Sequence, residues 1–286
     1  MFSQAEVLVR PAITKDRSQL ASLLHFETYV HRHLDWRPPL DWLGYEPYVV
    51  MERGGRITAA LACPPDPPSV AWVRMFVSSA MMPPEKGWEM LWHAARHLLA
   101  EQEVKSVAAI PLQKWFRELL ETSGFEHVHN VVLLVWDRDH EEHPKPTEFA
   151  HIRRMQRVDL DAVATVDAAS FGPIWRNSRE LLELAFKQAL VATVAEIEDR
   201  IIGYQISTPS PIGAHLARLA VHPDVQGQGI GYALARDLIE YCKHTRNCQV
   251  SVNTQHNNAK SLALYNKAGF SRTGEKFPVF EYDFSS

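Results

Sequence analysis

The sequence predicts a mixed α/β protein built as two tandem copies of one domain, and three observations carry that prediction. Landmarks recur in nearly constant register. Val9-Arg10 is answered by Ile152-Arg153 at an offset of 143, Trp72–Val77 by Leu216–Val221 at 144, and Gly124-Phe125 by Gly269-Phe270 at 145. Each half also runs through the same order of strand and helix patterns. Between the halves, residues 137–148 are polar, contain Pro144 and Pro146, and lack a hydrophobic period, as an interdomain linker does. The expected division is residues 1–137, a linker at 138–148, and residues 149–286. A chain of 286 residues, at roughly 100–200 residues per domain, fits two domains.

In the second half, Ile152–Arg154 reads as a short strand and Asp159–Ser170 as a helix with Asp159 as N-cap. Ser178–Gln188 reads as a second helix. Leu190–Glu196 and Ile201–Ser207 are β-rich runs around Glu198-Asp199-Arg200, a hairpin signal, and His215–Val221 alternates as a further strand. Gly231–His244 follows as a helix with Leu234, Leu238 and Tyr241 at helical spacing, then Gln249–Asn253 as a strand, Ala259–Ala268 as a helix and Ser271–Phe284 as a closing strand pair. In the first half, Tyr48–Glu52 and Arg56–Ala62 flank Gly54-Gly55 as the matching hairpin, and Pro84–Gln102 is the matching long helix.

Composition narrows the function. Hydrophobic residues make up 46% and charged residues 22%, which disfavours disordered, collagen-like and coiled-coil classes. Thirty basic against 34 acidic residues, a formal charge of -4, supply no global field for nucleic acid or an anionic membrane, so neither is expected as a partner. The first 17 residues hold no apolar signal core, and no apolar run is long enough to span a bilayer. Cys63, Cys242 and Cys248 are odd in number and lack metal-ligand spacing; they are expected as reduced thiols in a cytoplasmic protein without a metal. His25, His31 and His33, and His140 and His143, match no metal motif and read as surface histidines.

The most informative segment is Val221-His222-Pro223-Asp224-Val225-Gln226-Gly227-Gln228-Gly229-Ile230-Gly231, between an expected strand and an expected helix. Glycines let the backbone approach a ligand closely, and successive amides at a helix N-terminus form a concave anion site supported by the helix dipole. The spacing is not that of the dinucleotide fingerprint, and the Gly-Lys-Ser/Thr ending of a P-loop is missing. The bland alternative is a tight turn without a ligand. Gln226-x-x-Gly229-x-Gly231 after Leu219-Ala220-Val221 resembles the acyl-CoA signature of the GCN5-related N-acetyltransferases (GNATs). Asn258, Leu264-Tyr265 and Gly269-Phe270 are similar to that family's second signature. The resemblance covers about the last 140 residues. It implies two GNAT-like domains, each a mixed, mostly antiparallel sheet flanked by helices, the first degenerate. It also implies a co-substrate, acetyl-CoA, with its diphosphate on the amides of Gln226, Gly227, Gln228, Gly229, Ile230 and Gly231. Pantetheine would run along Leu219 to Val221 like an added strand, with Asn258 near the cofactor and Tyr265 by the thioester sulfur.

The expected activity is transfer of an acetyl group from acetyl-CoA to a primary amine, of a protein N-terminus or a small molecule, by direct attack. A phenol with a reference pKa near 10 can hand a proton to the departing thiolate, which is the role expected of Tyr265; the alternative is a core tyrosine. The base position that the resemblance suggests, six residues before Val221, holds His215 in place of the glutamate often found there. Imidazole suits that task, while a strand-edge histidine with a water chain as base is the alternative; Glu196 and Glu198 are weaker candidates. The stretch Asp159–Trp175 resembles the first-helix region of acetyltransferases acting on protein N-terminal amines. A non-catalytic acyl-CoA sensor and a mycothiol-synthase-like enzyme acting on a small metabolite are the other readings.

In the first half the register puts Met82–Gly87 opposite the glycine turn. Pro83 and Pro84 remove amide donors there and Glu85 adds a like charge, while Leu120 and Gln113 stand opposite Tyr265 and Asn258. That half is expected to bind no CoA and to serve as a structural partner shaping the acceptor side. Its seven tryptophans read as packing, or alternatively as a substrate-binding wall.

Overall fold

A computed structural model describes residues 6–136, 150–245 and 248–285; the linker expected at 138–148, with His140 and His143, lies outside them. The chain divides into two compact units, Met1–Val128 with Pro278–Ser286, and His129–Phe277.

Unit one contains β1 (Val7–Pro11), α1 (Arg17–Phe26), β2 (Tyr29–Arg32), β3 (Tyr48–Arg53), β4 (Arg56–Ala62), β5 (Val70–Trp72), β6 (Met75–Ser78), α2 (Pro84–Glu101), β7 (Ser106–Ala109) and α3 (Lys114–Thr122). Five of its strands form a sheet in the order β1-β3-β4-β6-β2, and β5 runs parallel to β7. Gly54 and Gly55 turn the β3–β4 hairpin with φ of 57° and 78°, a backbone that glycine adopts without strain. Helix α2 buries Trp88, Leu91, Trp92, Ala95 and Leu99, one stripe at helical spacing, against the sheet residues Met51, Ala59, Leu61 and Phe76. Here the aromatic density is core: Trp42, Trp72, Trp88 and Trp92 are all buried.

Unit two contains most of β8 (Glu126–Trp136), then β9 (His151–Arg154), α4 (Leu160–Ser170), α5 (Arg179–Lys187), β10 (Val191–Ile197), β11 (Arg200–Ser210), β12 (Gly213–Val221), α6 (Ile230–Lys243), β13 (Gln249–Gln255), α7 (Ala259–Lys267) and the start of β14 (Phe270–Asp283). Its sheet runs β8-β13-β12-β11-β10-β9, antiparallel except for the parallel β12–β13 pair. Leu234, Leu238, Ile239 and Cys242 of α6 are buried with Val250, Val252, Tyr265 and Phe270 or their neighbours on β11 and β12.

The unit boundaries differ from those expected at residues 137 and 149, because each half sends its closing strand away. Val131–Trp136 of β8 pair with Gln255–Val250 of β13 in unit two, and Phe280–Asp283 of β14 pair with Ala109–Ser106 of β7 in unit one, where Phe280 is buried in the core. For the same reason the strand pair expected over Ser271–Phe284 is one long strand. The duplication is also written in side chains. Arg10 binds Asp16 (2.7 Å) and Glu52 (2.7 Å), and Arg153 binds Asp159 (2.7 Å) and Glu196 (2.8 Å). In both copies the aspartate also accepts a backbone N–H three residues earlier, from Ile13 and from Gln156, and so closes the entry to the first helix.

Two expectations are corrected. Cys242, on the last turn of α6, and Cys248, just before β13, form a disulfide with their Cα atoms 5.2 Å apart; the helix-to-strand turn brings together two thiols that sequence spacing leaves unrelated. Cys63 is the free, buried cysteine. His31 is not on the surface: it is 1% exposed on β2, stacked 3.9 Å from the Phe116 ring, with Nε2 against the Val73 carbonyl at 3.2 Å.

Burial pushes the His31 imidazole down to about 4, against an unfolded value near 6.5. Between those values the unfolded chain binds more protons, so stability is full above pH 6.5 and is lost as pH falls towards 4, by about 3 kcal/mol for this group. His33, lowered by burial and by Arg74, adds in the same sense. Urea midpoints measured across this window should therefore fall with pH in the wild type and fall less in His31→Leu; parallel pH profiles would contradict the assignment.

Candidate active site

The site begins with a strand that has more backbone than its neighbour uses. β12 pairs with β13 only over Gly213–Leu216, opposite Gln249–Val252, although it continues to Val221. Its other edge stays paired to β11 throughout, with a bulge that leaves Ala217 as the extra residue between Leu216↔Ser207 and Arg218↔Ile206. A bulge adds local twist and re-aims the strand. From Ala217 onward β12 therefore turns away from β13, and among the described residues 217–221 have no strand partner on that side. Leu219 and Val221 lie on this run, half-buried.

The glycine turn follows at once. After a 3-10 turn, Pro223–Val225, the chain passes Gly227 (φ 82°) and Gly229 (φ 85°), both left-handed, and Gly229 is the N-cap of α6. A Cβ on Gly227 would meet nothing within 4 Å, so the space over the turn is open. The first α6 bond runs from the Ala233 N–H to the Gly229 carbonyl, which leaves the amides of Ile230 and Gly231 at the positive end of the helix. Gly231 serves packing: a Cβ there would come 2.7 Å from Leu264 Cδ1 of α7. Gln226 ties the parts together, donating from Nε2 to the Val221 carbonyl (3.0 Å) and accepting from Lys260 Nζ (3.3 Å) at Oε1. The turn and the unpaired strand run fit an acyl-CoA in shape, and no cation is needed for the diphosphate. Among the described residues, no group of three His, Cys, Asp or Glu side chains is placed to hold a metal, and no helix is long and apolar enough to cross a membrane.

Tyr265, on α7, is 6% exposed and packs against Phe270 with ring centroids 5.5 Å apart, in the core cluster that includes Ala214, Leu216 and Leu219 of β12. Burial raises its phenol above the ordinary value, so it keeps its proton at any pH the protein meets. Asn258 is the N-cap of α7, its side-chain oxygen accepting from the Ser261 N–H at 3.1 Å. His215 is not on a strand edge. It lies in the fully paired part of β12, opposite Thr208 and Ser251, with Nδ1 2.9 Å from Ser251 Oγ. Burial lowers its pKa, which keeps the ring neutral and a lone pair available. Glu196 is held by Arg153, which lowers its pKa, and Glu198 sits at the β10–β11 turn.

Sequence reasoning missed a buried ionic cluster beside the bulge. Asp167 of α4 is fully buried and accepts from Tyr204 Oη (2.5 Å), Arg218 Nε (2.7 Å) and the Asn177 N–H (2.9 Å). Arg218 also donates to the Trp175 carbonyl (2.5 Å), and its guanidinium lies 3.5 Å from the Phe171 ring centroid. The signal was a lone arginine within the apolar stretch Leu216–Val221, repeated at the same register as Arg74 in the first half.

In unit one the corresponding strand is closed. β5 pairs with β7 as the first part of β12 pairs with β13, and the strand breaks at Val73-Arg74, the counterparts of Ala217-Arg218. Beyond the break, however, β6 pairs with β2 from Tyr29↔Ser78 to Arg32↔Met75, on the side that β12 leaves open. The chain's own backbone fills the run that matches Leu219–Val221.

Residues 160–270 match the model of the acetyltransferase (GNAT) family. An uncharacterised N-acetyltransferase of Methanocaldococcus jannaschii is 30% identical over 122 residues, 42% of this chain and 76% of that protein. A Bacillus subtilis protein provisionally named a ribosomal protein bS18-alanine N-acetyltransferase is 29% identical over 128 residues, 44% of this chain and 83% of that protein. Among solved structures, a tandem GNAT protein from the clavulanic acid biosynthesis pathway superposes with a TM-score of 0.63 at 16% identity, over 97% of this chain and 98% of that one. A probable N-acyltransferase of Enterococcus faecalis gives 0.71 at 10% identity, over 97% and 73%. These likenesses in structure concern the fold.

The cap geometry predicts how Asn258 behaves. Asn258→Ala should cost about 1 kcal/mol of stability, whereas Asn258→Asp, which also caps, should cost little. Thermal unfolding of the two variants checks this; equal losses would show that the side chain does not act as a cap.

Proposed function

The chain belongs to the acetyltransferase (GNAT) family, and on that premise we propose that unit two moves an acetyl group from acetyl-CoA to a primary amine by direct attack. The observation that carries the reading is the unpaired run of β12 leading straight into a glycine turn at a helix N-terminus. That run offers main-chain groups ahead of Val221, whose carbonyl already accepts from Ser170 and Gln226, for the amides of pantetheine, as an added strand would. The amides of Gly227, Gly229, Ile230 and Gly231 offer donors for the diphosphate, while that of Gln226 is bonded to the Pro223 carbonyl at 3.3 Å. Acetyl-CoA supplies an activated thioester; the residues supply position and proton transfer. His215, neutral and held at Nδ1 by Ser251, accepts the amine proton at Nε2, directly or through water. As the carbon–nitrogen bond forms and the carbon–sulfur bond breaks, Tyr265 gives its phenolic proton to the sulfur. Burial raises the proton affinity of a thiolate beside the phenol as well as that of the phenoxide, so it does not by itself widen the gap between the two.

The acceptor is read as a protein or peptide α-amine ahead of a small amine, on the likeness of Asp159–Trp175 to N-terminal acetyltransferases and on the name of the B. subtilis relative. A peptide with a free N-terminal alanine is the first acceptor to offer.

Three outcomes follow. Free-thiol release should depend on the alanine peptide or on another member of an amine panel; turnover confined to one small metabolite would replace the α-amine reading, and acetyl-CoA binding without turnover on any amine would make the chain a sensor. Tyr265→Phe should keep its affinity for acetyl-CoA in calorimetry and lose about a hundredfold or more in kcat. Because protonated imidazole cannot accept a proton and burial lowers the His215 pKa, kcat/KM should hold its plateau to below pH 6.5 before falling. The same profile in His215→Gln would assign the base elsewhere.

A further inference from the structure

We propose, resting on the acyl-transfer reading above, that Arg218 and Asp167 are positioning residues for the acceptor: together they clamp residues 171–177 across the unpaired run of β12 and so fix where the amine enters.

The segment is anchored at its start, middle and end. Ser170 Oγ donates to the carbonyl of Val221, the last residue of β12, at 3.0 Å. The Arg218 guanidinium covers the Phe171 ring and donates to the Trp175 carbonyl. Asp167 Oδ1 receives the Asn177 N–H, and Oδ2 receives both Arg218 and Tyr204. The start and middle of the segment are thus tied directly to Val221 and Arg218, on the run that stands open towards β13, and its end to Asp167, which Arg218 holds. Oδ1 is already bonded to the Asn177 N–H and Oδ2 to Arg218 and Tyr204, and the side chain is fully buried, so Asp167 orients and does not act as a base.

Unit one separates this role from simple folding. Arg74, the counterpart of Arg218, pairs with Asp35 at 2.9 Å and lies 4.6 Å from the Trp42 ring centroid, holding the connection between β2 and β3. An arginine at this register therefore holds, in both units, a segment lying between the first helix and the hairpin. In unit one the neighbouring strand is covered by β2, whereas in unit two the held segment borders an open strand run. The bonds of the unit-two clamp go to α4, β11 and β12, and its carboxylate–guanidinium pair belongs to neither the glycine turn nor α7. Loosening it should disturb the acceptor and spare the co-substrate.

The test uses the full chain and the variants Arg218→Lys, Asp167→Asn and Tyr204→Phe. Lysine keeps the charge but cannot reach Asp167 and the Trp175 carbonyl from one planar group. The expected result for Arg218→Lys and Asp167→Asn is faster amide exchange confined to 171–177, a KM for the alanine peptide, or for the best acceptor of the amine panel, raised about tenfold or more, and an acetyl-CoA affinity changed by less than about threefold. Tyr204→Phe removes one donor and leaves the ion pair, so its KM should stay near that of the wild type. Acetyl-CoA affinity and amine KM lost together would overturn the proposal in favour of a general structural role. Exchange unchanged at 171–177, or faster exchange with an unchanged KM, would overturn it outright. Failure of every amine on the wild-type protein would be failure of the acyl-transfer reading instead.

Discussion

Everything in the second unit depends on one mismatch: β12 runs for nine residues and its parallel neighbour pairs with four of them. Main-chain groups left without partners cost stability wherever water is excluded, so a fold must fill such a run, leave it to solvent, or reserve it for a ligand. The two units give two answers to this constraint. Unit one fills the run with β2. Unit two bulges at Ala217, turns the strand away and follows it with two left-handed glycines at a helix start. A duplicated fold has thus kept its strand order and charge networks while closing the run in one copy and keeping it open in the other.

Charge is used unequally across the molecule. The exposed helix pairs such as Lys114–Glu118 and Arg117–Glu121 are worth about 0–1 kcal/mol each and set nothing that a solvated surface would not tolerate. Asp167 is different, because it is wholly buried and removal of either partner leaves an uncompensated charge, a loss of about 3–5 kcal/mol. The ion pair therefore has the strength to hold a connecting segment that burial alone does not secure, since Phe171 and Trp175 are only half-buried. Between these extremes stand Arg10 with Asp16 and Glu52, and Arg153 with Asp159 and Glu196. Each binds the first strand of its copy to the hairpin and to the entry of the first helix.

Local features of the site were legible in the sequence. The alternation of β12, the glycines at 227, 229 and 231 and the helix bearing Tyr265 follow from short-range pattern and turn chemistry, and the register of 143–145 exposed the duplication; the capping role of Asn258 emerges only in the structure. What stayed hidden is non-local. No periodicity marks Tyr29–Arg32 as the strand that closes the first unit, because its partner lies 43–49 residues away, beyond β3, β4 and β5. The exchange of closing strands could not be read either, since either pairing satisfies the same apolar pattern. His31 and Arg218 were polar residues whose burial only the assembled sheet decides, and the contact of Cys242 with Cys248 depends on how α6 ends. Gly231 was assigned to the anion turn, yet its geometry also answers to Leu264, a packing demand invisible before α7 is in place.

A crystal structure of the full chain with CoA tests the central claim most directly. The account predicts pantetheine density along Leu219–Val221, the diphosphate on the amides between Gln226 and Gly231, and β2 still paired with β6 in unit one. Ligand density beside Met75–Ser78, or CoA lying away from the unpaired run of β12, would contradict it.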